Sequence, residues 1–174
     1  MKVRRISITV KVIAAMVAIL LVSDVALGIA VHSRASNMIS DSIKESAKNT
    51  VKCVAASLDG NKLNAIQEGD EESEEFADIH EALTLYLENS GVEYVYTIRK
   101  NDLGTNVFVV DSDPEEPGGI NEEFGDDGEE IDEAYTGATT VGDPYTDEWG
   151  THISAYSPVY GDDGIAGLAV VDVS

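Results

Sequence analysis

Apolar and polar positions divide the chain into one long apolar run, followed by segments with helical and then alternating patterns. Residues 12–31 (VIAAMVAILLVSDVALGIAV) are almost wholly apolar, and only Ser23 and Asp24 are polar. A helix of about 20 apolar residues can cross a bilayer, because its backbone polar groups are hydrogen-bonded within the helix. The run therefore predicts one transmembrane helix at 12–31.

Basic residues before this run favour a cytoplasmic N-terminus. They are Lys2, Arg4, Arg5 and Lys11. The positive-inside rule then predicts a cytoplasmic tail at 1–11 and an extracytoplasmic remainder. A cleaved signal peptide is the alternative, but its apolar core is usually about 7–15 residues, and 31–35 lacks a convincing cleavage site. Asp24 is either a contact to a second membrane helix or a tolerated charge.

Helical periodicity continues beyond the apolar run. Apolar residues recur at spacings of four and three: Ile39, Ile43, Ala47, Val51, Val54 and Leu58. This stripe predicts an amphipathic helix that ends near Gly60. Since no Pro or Gly follows Gly28 before that point, we expect a membrane-proximal helix at 32–60 that continues the transmembrane helix. The stripe fits both packing on a sheet and transmission of motion.

A second helix is predicted where an acidic run at 70–75 precedes another apolar stripe. Carboxylates in a first turn interact favourably with the helix dipole, so this run needs no functional explanation. The stripe consists of Phe76, Ile79, Leu83, Tyr86 and Leu87. Asn89, Ser90 and Gly91 end this helix.

The pattern after Gly91 is that of β-strands. Residues 93–99 and 106–111 form one predicted hairpin, and residues 151–160 and 165–173 form another. The acid-rich segment 113–133 predicts a long surface connection that leads into a short helix near 129–135. A short strand is expected at 138–141. Residues 61–174 are therefore predicted to form one α+β domain.

Composition narrows the class of protein. The net charge is -22, so the outer domain repels phosphate backbones and nucleic-acid binding is excluded. Cys53 is the only cysteine, which rules out an internal disulfide, and the chain contains no Asn-x-Ser/Thr acceptor. These features favour a bacterial envelope protein.

The residues give no sign of catalysis or metal binding. His32, His80 and His152 are the only histidines, and none stands in a catalytic or zinc-binding motif. Asp111 and Asp113 begin like an EF-hand loop, but Pro114 and the missing glycine at the sixth position break that pattern. We expect no enzyme activity from this chain, no metal site and no cofactor.

The order of several segments resembles a known family. After the membrane helix come LDGNKL (58–63), EYVYTIRKNDLG (93–104), FVVDSDPEEP (108–117) and the run from YTDEWG to VVDVS (145–174). Together they resemble the single Cache (PAS-like, PDC) extracytoplasmic sensor domain of bacterial chemoreceptors, sensor histidine kinases and diguanylate cyclases. The resemblance implies a five-stranded antiparallel sheet with the long N-terminal helix on one face and a small-ligand pocket on the other.

Alternation identifies candidate ligand-binding residues on this sheet. Ser154, Tyr156 and Pro158 share one face of their strand, and Leu168, Val170 and Asp172 share one face of the next. A face with tyrosines, a serine and an aspartate suits a ligand pocket. By the resemblance, a loop with Tyr145, Asp147 and Trp149 folds over it. The predicted binding residues are Tyr96, Asp111, Tyr145, Trp149, Tyr156 and Asp172.

Each residue type has a plausible role and a simpler alternative. The aromatic rings would surround an apolar or cationic part of a ligand, and Asp111 or Asp172 would accept hydrogen bonds from an amine. Alternatively, the tyrosines are half-buried sheet residues and Asp172 caps a loop.

These observations predict the ligand-sensing region of a bacterial transmembrane receptor of the chemotaxis, two-component or cyclic-di-GMP type. Its partners are expected to be a small molecule (an amine, an amino acid or another metabolite), the membrane and a second copy of the chain. The long helix would relay binding to the membrane, and a second membrane helix with an output module, which could be enzymatic, is expected beyond Ser174. A membrane-anchored acidic protein that binds cations or a partner without signalling is the alternative.

Overall fold

The long apolar run and the residues after it form one continuous helix. The computed structural model describes residues 7–126, 128–146 and 151–174. Helix α1 (Ile8–Ser57) includes the segment 12–31, and its length and hydropathy are sufficient to cross a membrane. The chain divides into two compact units, the first ending at Ser42 and the second running from Ile43 to Ser174. The second unit contains the sheet.

The C-terminal part of α1, an antiparallel sheet and three further helices form this second unit. The helices are α2 (Gly60–Ala65), α3 (Glu74–Asn89) and α4 (Glu129–Ala134). The strands are β1 (Tyr94–Lys100), β2 (Asn106–Asp111), β3 (Thr140–Val141), β4 (Tyr145–Thr146), β5 (Thr151–Gly161) and β6 (Gly164–Val173). Their order is β2-β1-β6-β5-β3, and β4 also pairs with β5. The predicted α+β fold with an antiparallel sheet is confirmed, whereas β4 was not predicted.

Side-chain caps fix where the short helices begin. Asp59 accepts a hydrogen bond from the backbone N–H of Asn61 at 2.9 Å, and Ser73 accepts one from Phe76 at 3.1 Å. These oxygens satisfy N–H groups that have no partner within the helix. Glu74 and Glu75, from the acidic run, lie in the first turn of α3 as expected.

The helices α1, α2 and α3 cover one face of the sheet. Ala47, Val51 and Val54 of α1 are at most 1% exposed and pack in the main apolar core. Leu63 of α2 and Leu83 of α3 are completely buried in the same core. Ile39, in contrast, is 61% exposed within the first unit, so only the C-terminal part of the predicted stripe packs on the sheet.

A β-bulge lies where β1 pairs with β2. Thr97 pairs with Val110 and Ile98 pairs with Phe108, which leaves Val109 as an extra residue in β2. The buried hydroxyl of Thr97 accepts a hydrogen bond from Val110 N at 3.0 Å and donates one to Val110 O at 3.2 Å. This side chain replaces ladder hydrogen bonds at the bulge, and it allows Phe108 and Asp111 to lie on one face although their spacing is odd.

Gly60 provides the first test of the packing. A Cβ at this position would lie 2.3 Å from the carbonyl oxygen of Tyr160, which belongs to the backbone of β5. Gly60→Ala should therefore lower the free energy of unfolding by about 1–3 kcal/mol, although alanine is the better helix former. Thermal denaturation of the full chain in detergent, followed by circular dichroism, measures this change.

Gly119→Ala is the matched control, because its Cβ would meet only the side chain of Glu122, at 3.3 Å. An equal melting temperature for the two variants would contradict the close contact between α2 and β5.

Candidate functional site

Strand register gathers the candidate residues on the face of the sheet opposite α1, α2 and α3. Tyr94 and Ser154 both pair with Asp172, and Tyr96 and Tyr156 both pair with Val170. Paired residues point to the same side of a sheet, and so do residues two apart along a strand. We call this side, which carries Tyr94, Tyr96, Tyr156 and Asp172, the aromatic face.

Part of the aromatic face is filled by the protein's own side chains. A second apolar cluster lies there, formed by Tyr96, Ile98, Ile131, Ala134, Tyr156, Leu168 and Val170. The Tyr96 ring centroid lies 5.4 Å from that of Phe108 and 5.6 Å from that of Phe124. Tyr96 is 6% exposed and Tyr156 is 1% exposed. The region near α4 is therefore a packed core, and the open pocket expected from the sequence does not extend over it.

The other end of the aromatic face is polar and centres on Asp172. This side chain is 5% exposed, and its Oδ2 accepts a hydrogen bond from the Tyr96 hydroxyl at 3.1 Å. Its Oδ1 is buried and has no hydrogen-bond partner. Burying a carboxylate oxygen without a donor is costly, so such groups often mark sites where a ligand supplies the donor.

The electrostatic setting of Asp172 follows from this burial. Loss of water raises the pKa of Asp172 to about 6, while the hydroxyls of Ser154 and Tyr96 and the ring of His152 oppose the increase. Above that pH the side chain carries a negative charge in a region of low polarity. A cationic N–H donor would pair with this charge more strongly than water does.

Two further ionisable residues lie at the polar end. His152 is 2% exposed, and its Nδ1 lies 3.2 Å from Oε2 of Glu93. The backbone N–H of Glu93 donates to the carbonyl oxygen of Asp172 at 2.8 Å, which holds Glu93 beside the last strand. Sequence reasoning missed both residues. Alternation did contain a signal for His152, since it shares its face with Ser154 and Tyr156, but Glu93 precedes its strand and has no such signal.

Tyr145 lies at the rim of this polar end. It pairs with His152, and the two ring centroids are 5.8 Å apart. Tyr145 is 44% exposed, so its ring is available to solvent while His152 is not. Trp149 and Asp147, which were predicted to lie over the site, are outside the described residues.

Asp111 occupies a different environment from Asp172. It pairs with Tyr96 across the strands, but its Oδ2 accepts a hydrogen bond from Gly118 N at 2.9 Å and its Oδ1 accepts one from Asp113 N at 3.0 Å. Burial raises the pKa of Asp111, and these backbone hydrogen bonds oppose the increase. Both oxygens therefore organise the loop after β2.

The arrangement can bind a polar ligand, and it offers no metal site within the described part of the chain. Residues 7–126, 128–146 and 151–174 contain no group of three or more His, Cys, Asp or Glu side chains that could hold a metal ion. Tyr96 and Asp172 are in direct contact, Tyr156 joins them across Val170, and Tyr145 joins through His152. The structure therefore brings five of the six predicted residues to one face, although the oxygens of Asp111 are bound by its own loop.

Solved structures with a similar fold come from bacterial receptors. The ligand-binding domain of the Campylobacter jejuni chemoreceptor Tlp3 in complex with 4-methylisoleucine is 17% identical, with a TM-score of 0.52, over 79% of this chain and 52% of that one. The isoleucine-bound Tlp3 sensory domain is 18% identical, with a TM-score of 0.52, over 79% of this chain and 53% of that one. The chain thus spans about half the length of these Tlp3 domains.

A third similar structure is an extracellular ligand-binding receptor from Desulfohalobium retbaense. It is 17% identical, with a TM-score of 0.56, over 82% of this chain and 24% of that one. No protein-family model and no curated protein matches the chain. At these identities the similarity establishes the fold, which is the fold of bacterial extracellular sensor domains, as the Cache resemblance implied.

The buried carboxyl of Asp172 makes stability depend on pH. Its pKa is about 6 in the folded chain and about 3.9 in an unfolded one. Between these values the folded state binds a proton that the unfolded state does not, so the free energy of unfolding falls as pH rises from 4 to 6. Asp172→Asn should remove this fall, and the free energy of unfolding of the variant relative to that of the original chain should rise by about 2 kcal/mol between pH 4 and pH 7.

Denaturation of the full chain in detergent at several pH values measures this difference. Asp163→Asn, in the exposed turn between β5 and β6, is the control and should follow the original pH profile. A pH profile for Asp172→Asn that stays parallel to the original would contradict the raised pKa.

Proposed function

We propose that the chain is the extracytoplasmic, small-molecule-sensing region of a bacterial membrane-bound signal transducer. The observation that carries this proposal is the unpartnered Oδ1 of Asp172, buried on the aromatic face of a sensor-type fold. Natural proteins retain few buried polar atoms without partners, and those that remain are frequently at functional sites. A ligand that donates a hydrogen bond to this oxygen would satisfy it.

The predicted residues have distinct roles in this proposal. Asp172 accepts a hydrogen bond from the ligand, and the Tyr96 hydroxyl holds the carboxylate in position through its own bond to Oδ2. Tyr145 contacts the ligand from the rim, and Trp149 stays a ligand contact predicted from the sequence. Tyr156 supports the site from below, and Asp111 acts through the loop whose backbone it binds.

The fold similarity supports sensing as the role of such a site. The two Tlp3 domains are chemoreceptor sensory domains with 4-methylisoleucine and isoleucine bound. In our proposal this chain likewise binds a small solute and is not itself an enzyme. The chemotaxis, two-component and cyclic-di-GMP classes of transducer are all compatible with it.

A relay to the membrane is the second part of the proposal. Residues 12–31 cross the membrane with the tail 1–11 in the cytoplasm, and α1 transmits a change in the site. Lys44 of α1 contacts Asp143 with an Nζ–Oδ1 distance of 2.6 Å, and Asp143 is two residues before Tyr145. A ligand that favours one position of Tyr145 would thereby favour one position of α1, which we expect to pack against a second copy.

Ligand binding by the full chain in detergent tests the sensing role. We expect at least one solute from a panel of amines, amino acids, carboxylic acids and sugars to bind in isothermal titration calorimetry. Asp172→Ala should weaken that binding about tenfold or more, because the ligand loses a charge-assisted hydrogen bond. Asp163→Ala, which removes an exposed aspartate, should change it less than about twofold.

Two results would contradict sensing at this site. One is the absence of binding by every solute in the panel. The other is binding of Ca²⁺ alone that Asp172→Ala leaves unchanged, which would favour the anchored acidic binding protein.

Labelling of the single cysteine tests the proposed orientation. Cys53 is exposed on α1, so a membrane-impermeant maleimide should label it in intact bacterial cells if the second unit is extracytoplasmic. In a Cys53→Ser background, Asp102→Cys at the exposed tip between β1 and β2 should also be labelled, whereas Ser7→Cys should not. If only Ser7→Cys were labelled in intact cells, the N-terminus would be outside the cell, and the proposed orientation would be wrong.

A further inference from the structure

The distribution of charge along the chain is strongly asymmetric. Lys100 is the last basic residue of the lysine or arginine type, and the segment from Asn101 to Ser174 contains neither. Nineteen of the 33 acidic residues lie in this segment. The segment supplies every strand of the sheet except β1, as well as α4 and the residues around β4. This count includes the two acidic residues of the segment 147–150 (DEWG), which contains no basic residue.

Acidic side chains also predominate in space around the aromatic face. Burial raises the pKa of the Tyr156 hydroxyl, and the nearby carboxylates of Asp126, Asp172 and Glu130 raise it further. Asp111 acts in the same direction on Asp172. Carboxylates therefore reach this face from β2, β6, α4 and the segment before α4.

The basic residues nearest in sequence are engaged elsewhere. Lys100 Nζ lies 2.7 Å from Asp132 Oδ1 and 5.0 Å from the centre of the Tyr135 ring. It is six residues along β1 from Tyr94, about 20 Å at the rise of a strand. Arg99 donates to the carbonyl oxygen of Ile66 at 2.8 Å and to Asn121 Oδ1 at 3.2 Å. These contacts hold Arg99 on the side of the sheet that carries the helices.

His152 is the remaining base beside Asp172, and an acid already faces it. Its Nδ1 lies 3.2 Å from Oε2 of Glu93. Glu93 therefore opposes any positive charge that this ring could present to a ligand. Within the described part of the polar end, the ligand meets the buried carboxylate of Asp172 with its unpartnered Oδ1, and the segment from Asn101 onwards brings no lysine or arginine to it.

We propose that the ligand of this site is an amine that carries no carboxylate, with its ammonium group on Oδ1 of Asp172 and its carbon chain against Tyr145. This inference rests on the sensing function proposed above and narrows it to one chemical class. The acidic surface attracts such a cation over a distance, and the aromatic rim favours it at close range.

An α-amino acid fits the same charges poorly. Its ammonium group satisfies Asp172, but its carboxylate is only two bonds away and comes to lie near Asp172 without a lysine or arginine as partner. Tyrosine hydroxyls can donate hydrogen bonds to that carboxylate, but they cannot cancel its charge. Like charges placed side by side across an interface are strongly unfavourable, so the amino acid should bind at least about tenfold more weakly than the amine with the same side chain.

Matched pairs of ligands test this inference on the full chain in detergent. The pairs are 3-methylbutylamine with L-leucine, 2-phenylethylamine with L-phenylalanine, and cadaverine with L-lysine, within a wider panel of primary, secondary and quaternary amines. L-Leucine methyl ester keeps the leucine skeleton but removes the negative charge. We expect at least one amine to bind about tenfold or more tightly than its amino acid. For the leucine pair, the methyl ester should recover most of any such difference.

Protein variants localise the effect. Asp172→Asn should weaken amine binding about tenfold or more, since the ligand loses its charged partner, whereas Asp163→Asn should have less than about a twofold effect. An equal loss in both variants would show that amines respond only to the overall negative charge, and it would overturn the assignment to Asp172.

The outcomes separate this inference from the sensing function. Binding of an amino acid as tight as that of its matched amine, or binding of carboxylic acids or sugars without any amine, would overturn the amine class and leave sensing intact. If no solute of the panel binds, both proposals fail together.

Discussion

The position of β6 between β1 and β5 is the constraint on which the candidate site depends. Asp172 pairs with Tyr94 on one side and with Ser154 on the other, so a single residue of β6 fixes the neighbours of the buried carboxyl from both directions. A slip of one residue in either pairing would turn Asp172 towards the helix-covered face and place it in the main apolar core. The apolar residues of β6 resist such a slip, because Ala169 and Val171 are completely buried under the helices.

The two faces of the sheet use burial for different purposes. On the helix side, α1, α2 and α3 exclude water from aliphatic side chains, which stabilises the domain. On the aromatic face, α4 and Phe124 do the same for half of the surface, and the other half buries Asp172, His152 and Ser154. Dehydrating these polar groups lowers stability, and the chain tolerates this because the packed half holds their strands in place.

Much of the fold could be predicted from the sequence because its patterns are local. The stripe after the apolar run, the acidic start of α3 and the two hairpins each require only neighbouring residues to be recognised. Strand β4 has two residues, too few for a pattern, and it forms only because Tyr145 and Thr146 meet β5. In the site, alternation identified the face of Tyr96, Tyr156 and Asp172. It could not show that α4 would cover part of that face, nor that both oxygens of Asp111 would be taken up by backbone N–H groups.

The extra residue in β2 has a consequence for how related sequences can vary. Val109 and Val110 are both buried in the main core, because the irregular pairing opposite Thr97 lets two successive side chains face the helices. A homologue that lacked one of these valines would regain simple alternation. Phe108 and Asp111 would then stand two residues apart and still share a side of the sheet, so the aromatic contact to Tyr96 and the anchor of the following loop would be kept. The main core, in contrast, would lose one buried side chain. Relatives with and without the extra valine should therefore keep the same aromatic face and differ in how the main core is filled.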